Sequence, residues 1–209
     1  GQPPMRPDVL ADLAYQPFRD MVRAALRHAG GIRIDHILGL FRLWWVPAGL
    51  GPRMGTYIRY DHEAMVGILA LEAYRAGALV VGEDLGTVEP WVRAYLRERG
   101  IMGTSVLWFE NGEDGNPLAP EQWREYAMSS VTTHDLPPTT GYLAGDHVEV
   151  RSELGLLTES VEYERAAAAR QTAAWIAILR ARGVLAGDNP SEEELSLIHI
   201  SEPTRPERI

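Results

Sequence analysis

Residues 63–84, EAMVGILALEAYRAGALVVGED, constrain the fold more than any other stretch. An apolar helical repeat runs to Gly77, and with no room for a loop the chain enters the short apolar run ALVVG, which ends on two acids. A helix delivered straight into a buried strand is half of a βαβ unit, and parallel neighbours need such crossovers. The pattern recurs. QPFRDMVRAALRHAGG puts Phe18, Met21, Val22, Ala25, Leu26 and Ala29 on one face of a helix that Gly30-Gly31 ends, and GIRID follows. GTVEPWVRAYLRERG reads as a helix with Thr87 as N-cap, Pro90 in its first turn and Gly100 past its end, followed by SVLWFE. A Gly- and Pro-rich loop over 39–61, a short helical stretch near 120–127, the run SSVTTHD and a long Ala-rich helix over about 161–182 complete the pattern.

The expected fold is α/β: about four parallel strands, near 31–35, 78–83, 104–109 and 129–135, with flanking helices. An open doubly wound sheet and a partial (β/α)8 TIM barrel both fit this order. Three strands expected to end in an acid, Asp35, Glu83 and Asp135, favour the barrel, whose active sites collect residues from several strand ends at one rim. No GxGxxG or P-loop pattern follows any strand, as an open nucleotide-binding sheet would often show.

Composition narrows the chemistry. Twenty Lys and Arg against 29 Asp and Glu give a formal net charge of −9, with no basic stripe carrying aromatics, so nucleic acid is not an expected partner. There is no cysteine to form disulfides or thiolate metal sites. No apolar run approaches the ~20 residues that span a bilayer, and no basic-then-apolar leader precedes the first helix; the expectation is a soluble, cytoplasmic protein with no membrane partner.

Three carboxylates at one rim repel one another, so their convergence costs stability unless chemistry uses it. In retaining glycosidic chemistry one carboxylate attacks the anomeric carbon, and a second, protonated one serves the leaving oxygen and then the acceptor. A third can hold the sugar hydroxyls. Arg33, two residues before Asp35, lies on the same strand face and is placed to keep that carboxylate ionised and aimed. Glu83, flanked by apolar residues, is expected to hold its proton more readily. The alternatives are that each acid ends a strand and caps a helix, or that Asp, Glu and His hold a metal. No HExxH or comparable ligand pair supports the metal, and none is assigned.

The stretches GIRIDHILGLFRLWWVP, VVGEDLGTV, VLWFE and VTTHDLP resemble the core motifs of the 4-alpha-glucanotransferases, the amylomaltases of glycoside hydrolase family 77 in the alpha-amylase superfamily, over about residues 1–195. The resemblance implies an enzyme without cofactor that moves α-1,4-glucan segments between maltooligosaccharides. It also implies Asp35 as nucleophile, Glu83 as general acid/base and Asp135 as transition-state stabiliser, with Arg33 and His134 supporting the nucleophile and the bound glucose. Phe109 is either a sugar-stacking ring or an ordinary core residue, and Tyr57 is an acceptor-side contact. Adjacent Trp44 and Trp45 are read as packing beneath the rim, with at most one facing the core. A hydrolase of the same superfamily and a non-catalytic glucan-binding segment are the competing readings. Four strands are half a barrel, so the 209 residues alone are expected to be inactive. Residues 196–209 depart from the family pattern and resemble translated adapter sequence rather than a barrel strand.

Overall fold

The computed structural model describes residues 3–185, so the expected tail at 196–209 lies outside the described residues. The chain divides into two compact units: residues 1–104 with 125–128, and 105–124 with the part from 129 onward.

In the first unit, α1 (Pro7–Asp12) leads into α2 (Gln16–Leu26). Only Phe18, Val22 and Leu26 are buried on α2, a stripe of four-residue spacing, and Met21 is half exposed. The helix stops at Leu26 rather than at the glycines, and Gly31 instead opens β1 (Gly31–Ile34). The segment expected to be loop, 39–61, contains an antiparallel hairpin, β2 (Arg42–Trp45) and β3 (Thr56–Arg59). Next comes α3 (His62–Ala76), whose N-cap Asp61 accepts the Ala64 N–H and whose end is closed by Gly77 in the left-handed region. It feeds β4 (Leu79–Gly82), as the 63–84 run requires. Pro90 opens α4 (Pro90–Glu98), so Glu89 is the N-cap and Thr87 lies outside the helix; Gly100, at φ 73, follows its end as expected.

β1 and β4 are parallel, with Gly31 opposite Leu79 and Ile34 opposite Gly82. Val81 bridges in parallel to Met102, so the next strand, β5 (Gly103–Val106), is entered beside β4. The chain order β1, β4, β5 is therefore also the order in space, as helical crossovers between parallel neighbours give. Val22 and Leu26 of α2 and Val66 and Leu69 of α3 share one buried core with Val80 of β4. Between those helices the buried Glu72 carboxylate takes Arg23 Nε at 2.6 Å and Arg75 at 2.9 Å, so the burial of its charge is compensated.

In the second unit the expected VLWF strand gives way after Val106 to a 3-10 turn, Leu107–Phe109. The helical stretch near 120–127 is only a 3-10 turn, Pro120–Gln122. β6 (Ala127–Ser130), whose first two residues count with the first unit, ends five residues before Asp135, and three helices follow: α5 (Thr139–Ala144), α6 (Asp146–Glu153) and α7 (Val161–Ala181). Trp108, Tyr142 and His147 form a continuous stack with 4.3 Å between successive ring centroids. Among the described residues no helix is long and apolar enough to cross a membrane.

Candidate active site

The ladder that joins β1 to β4 also aligns their last residues. Glu83 N donates to Ile34 O at 2.9 Å and Ile37 N donates to Glu83 O at 3.0 Å, so Asp35 and Glu83 emerge side by side at the C-terminal ends of neighbouring parallel strands. Gly82 makes this close approach possible: a β-carbon there would lie 2.9 Å from Ile37 Cγ1, and Ile37 is fully buried.

The two carboxyls meet different surroundings. Asp35 is exposed and takes Arg33 Nη1 at 2.7 Å, as residues of one strand face should. Glu83 is 6% exposed. Its expected apolar setting is corrected, because Oε1 accepts the Leu85 N–H at 2.8 Å and Oε2 the His36 N–H at 2.9 Å. Each oxygen keeps a second lone-pair direction. A donor atom each from Asp35, His36 and Glu83 lie within 4.8 Å of one another. Carboxylate and imidazole atoms at this spacing are of the kind that can hold a cation, and two carboxylates at neighbouring strand ends can equally handle protons.

His36 was assigned no role from the sequence. It sits in the left-handed region at φ 48, with Nδ1 3.3 Å from Glu83 and Nε2 3.7 Å from Asp35. Its position directly after the strand-ending acid was the available signal. Asp84 was also missed. Alternation turns it away from Glu83, and its buried carboxylate accepts the Thr104 N–H at 2.9 Å and faces Arg93 Nε at 3.4 Å. Two adjacent acids closing one apolar run implied two opposite faces. Tyr57 lies on β3, paired across to Trp44.

In the second unit, Asp135 does not end a strand; it lies in a turn, exposed, with His134 Nε2 3.3 Å from its Oδ1. Phe109 closes the 3-10 turn with 51% of its surface exposed in this chain, while its neighbour Trp108 is buried.

Parallel strands fed by helices, with one shielded and one open carboxylate at adjacent strand ends, define an α/β chain that gathers charged side chains at the C-terminal edge of its sheet. Similarity to known proteins makes the class specific. The family model described as 4-alpha-glucanotransferase, glycoside hydrolase family 77, matches residues 1–199, and the chain belongs to that family. It is 64% identical over 202 residues to a 4-alpha-glucanotransferase of Mycobacterium tuberculosis, an alignment covering 94% of this chain and 28% of the relative. It is 38% identical over 159 residues to one of Haemophilus influenzae, covering 76% and 23%. The crystal structure of amylomaltase from Corynebacterium glutamicum superposes with a TM-score of 0.82 at 48% identity, over 98% of this chain and 29% of that one. The chain thus spans less than a third of the length of these relatives.

Proposed function

We propose that this chain is the part of a retaining 4-alpha-glucanotransferase, within a (β/α)8 barrel, that carries its reacting carboxylates. The observation that supports the reading most is the pairing of Asp35 with Glu83, whose nearest donor atoms lie within 4.8 Å at the ends of adjacent parallel strands. Retaining enzymes hold their carboxyls about 5–5.5 Å apart, against about 6.5–9.5 Å where a water must fit between.

In this reading Asp35, aimed by Arg33, attacks the anomeric carbon of an α-1,4-linked glucan, and the bond to the leaving oxygen breaks as Glu83 gives that oxygen its proton. The acceptor hydroxyl then loses its proton to Glu83 and displaces the Asp35 carboxylate. Asp135 stabilises charge on the sugar in the transition state, and His134 and Phe109 hold the glucose by hydrogen bonding and stacking. Tyr57 meets the acceptor. The substrates are maltooligosaccharides, and the place of action is the cytoplasm.

The test exchanges the corresponding segment of the Mycobacterium tuberculosis relative for this chain and incubates the chimera with maltotriose. A ladder of longer products is expected. It is abolished by Asp35→Asn, and Glu83→Gln slows natural substrates far more than ones with an activated leaving group. Glucose and maltose without longer products would make the protein a hydrolase, and an unchanged ladder in Asp35→Asn would remove Asp35 as nucleophile.

A further inference from the structure

The β2–β3 hairpin has two unlike faces. Its register sets Arg42 opposite Arg59 and Trp44 opposite Tyr57, so alternation puts two guanidinium groups and two aromatic rings on one side. Trp45, on the other side, packs against the core. Trp44 and Tyr57 are 47% and 56% exposed, so Trp44 does not pack beneath a rim as the sequence suggested.

An exposed indole would ordinarily sample several rotamers, but this one is fixed. Its Nε1 donates to Pro52 O at 3.1 Å. Its ring lies against Gly55, where a β-carbon would fall 2.6 Å from Trp44 Cε2. Tyr57 meets it edge-on at 4.9 Å, and Arg42 stands 4.9 Å over the Tyr57 ring while pairing with Glu89 at 2.8 Å.

We propose that this face is a glucan subsite on which Trp44 stacks a pyranose of the acceptor, making Trp44 a specificity-determining residue for long acceptors. The inference rests on the transfer reading given above. The occupant follows from what the face has left to offer. The indole N–H is already used and the Arg42 charge is paired with Glu89, which leaves the exposed Arg59 as a hydroxyl donor at the rim rather than a cluster of cations, and the formal charge of −9 opposes a nucleic acid. What remains is a flat apolar ring beside polar groups, which suits a neutral sugar with C–H faces and a hydroxyl rim. The location suits it too, because the hairpin is inserted between Asp35 and α3 and so leaves and returns at the strand ends that carry Asp35 and Glu83. A groove of about 500 Å³ bounded by Phe41, Arg42, Glu89 and Trp91 extends the surface.

The experiment titrates the 209-residue chain with maltoheptaose and with maltotriose by calorimetry, comparing wild type, Trp44→Ala and Trp44→Phe. Loss of one stacked ring weakens maltoheptaose binding about tenfold in Trp44→Ala, whereas Trp44→Phe keeps most of it and maltotriose changes little. Equal maltoheptaose affinity in all three proteins, or no binding by wild type, overturns the proposal. The two readings fail separately. An inactive chimera whose segment still binds maltoheptaose through Trp44 loses transfer and keeps the subsite; an active chimera in which Trp44→Ala leaves the KM for long acceptors unchanged does the reverse.

Discussion

Replacing Gly82 by alanine tests whether contact between one glycine and one isoleucine sets the position of the Glu83 strand end. The added β-carbon lies 2.9 Å from Ile37 Cγ1, 3.1 Å from its Cβ and 3.3 Å from its Cδ1. Carbon pairs prefer about 3.5–4.0 Å, so the gap must open by roughly 0.6 Å or more. Neither wall yields freely. Gly82 N is bound to Met102 O at 2.7 Å, and Ile37 N to Glu83 O at 3.0 Å. Overpacking of this kind costs about 1–3 kcal/mol, and with both walls pinned we expect about 2 kcal/mol. For a urea slope near 2 kcal/mol/M that lowers the unfolding midpoint by about 1 M. Far-UV circular dichroism of the 209-residue chain in urea provides the assay, and Ile37→Ala completes a double-mutant cycle. Ile37→Ala alone costs about 2–5 kcal/mol, but it removes the atom that is most crowded, so the double variant should lose about 1 kcal/mol less than the sum. Strictly additive losses, or an unchanged midpoint in Gly82→Ala, would show that the contact does not constrain the strand.

Two further predictions concern pH. The Arg23 hydrogen bond, with help from Arg75, holds the Glu72 carboxyl below its usual range, so its contribution is present above the unfolded pKa and lost as pH falls through the folded one. Both guanidinium partners reach solvent, which limits the effect to about 1–2 kcal/mol; Glu72→Gln should lower stability at pH 7 and flatten the acid limb of a melting-temperature profile, and an unflattened limb refutes the assignment. Burial, reinforced by Arg151, pushes the His147 imidazole down, so the folded state binds fewer protons than the unfolded one and loses stability as pH falls below about 6.5. His147→Gln should remove that loss, measured as melting temperature between pH 7 and pH 5, and a persisting loss places its origin elsewhere.

The legible parts of the sequence were those where one residue pattern sufficed to choose a structure. The run into β4 held because an apolar helix and an apolar strand meet at Gly77, which only a left-handed turn connects economically. The pairing of Arg33 with Asp35 followed from strand alternation alone. The hairpin was hidden because strands of four residues, separated by Pro47, Gly49, Gly51 and Pro52, show too little alternation to stand out from loop composition. β-branched Val131, Thr132 and Thr133 suggested a strand running to Asp135, but the ladder stops at Ser130, before a turn that leads to Pro137 and Pro138. The apolar flanks of Glu83 correctly indicated burial, but they carried no sign of the backbone N–H groups of His36 and Leu85, which come from the turns beyond the strands.

The register of Asp35 beside Glu83 is set by the ladder from Gly31 opposite Leu79 to Ile34 opposite Gly82 and by the Ile37 N–H on Glu83 O, and the hairpin residues 42–59 take no part in either. The hydrogen bonds that align Asp35 with Glu83 are therefore made without the hairpin strands. If the proposed roles hold, exchanges near Trp44 and Tyr57 change what is gripped while leaving the Asp35–Glu83 register in place, so recognition and chemistry become separable modules on one scaffold. On that reading, a library randomised only within 42–59 explores acceptor preference while the carboxylate register is kept.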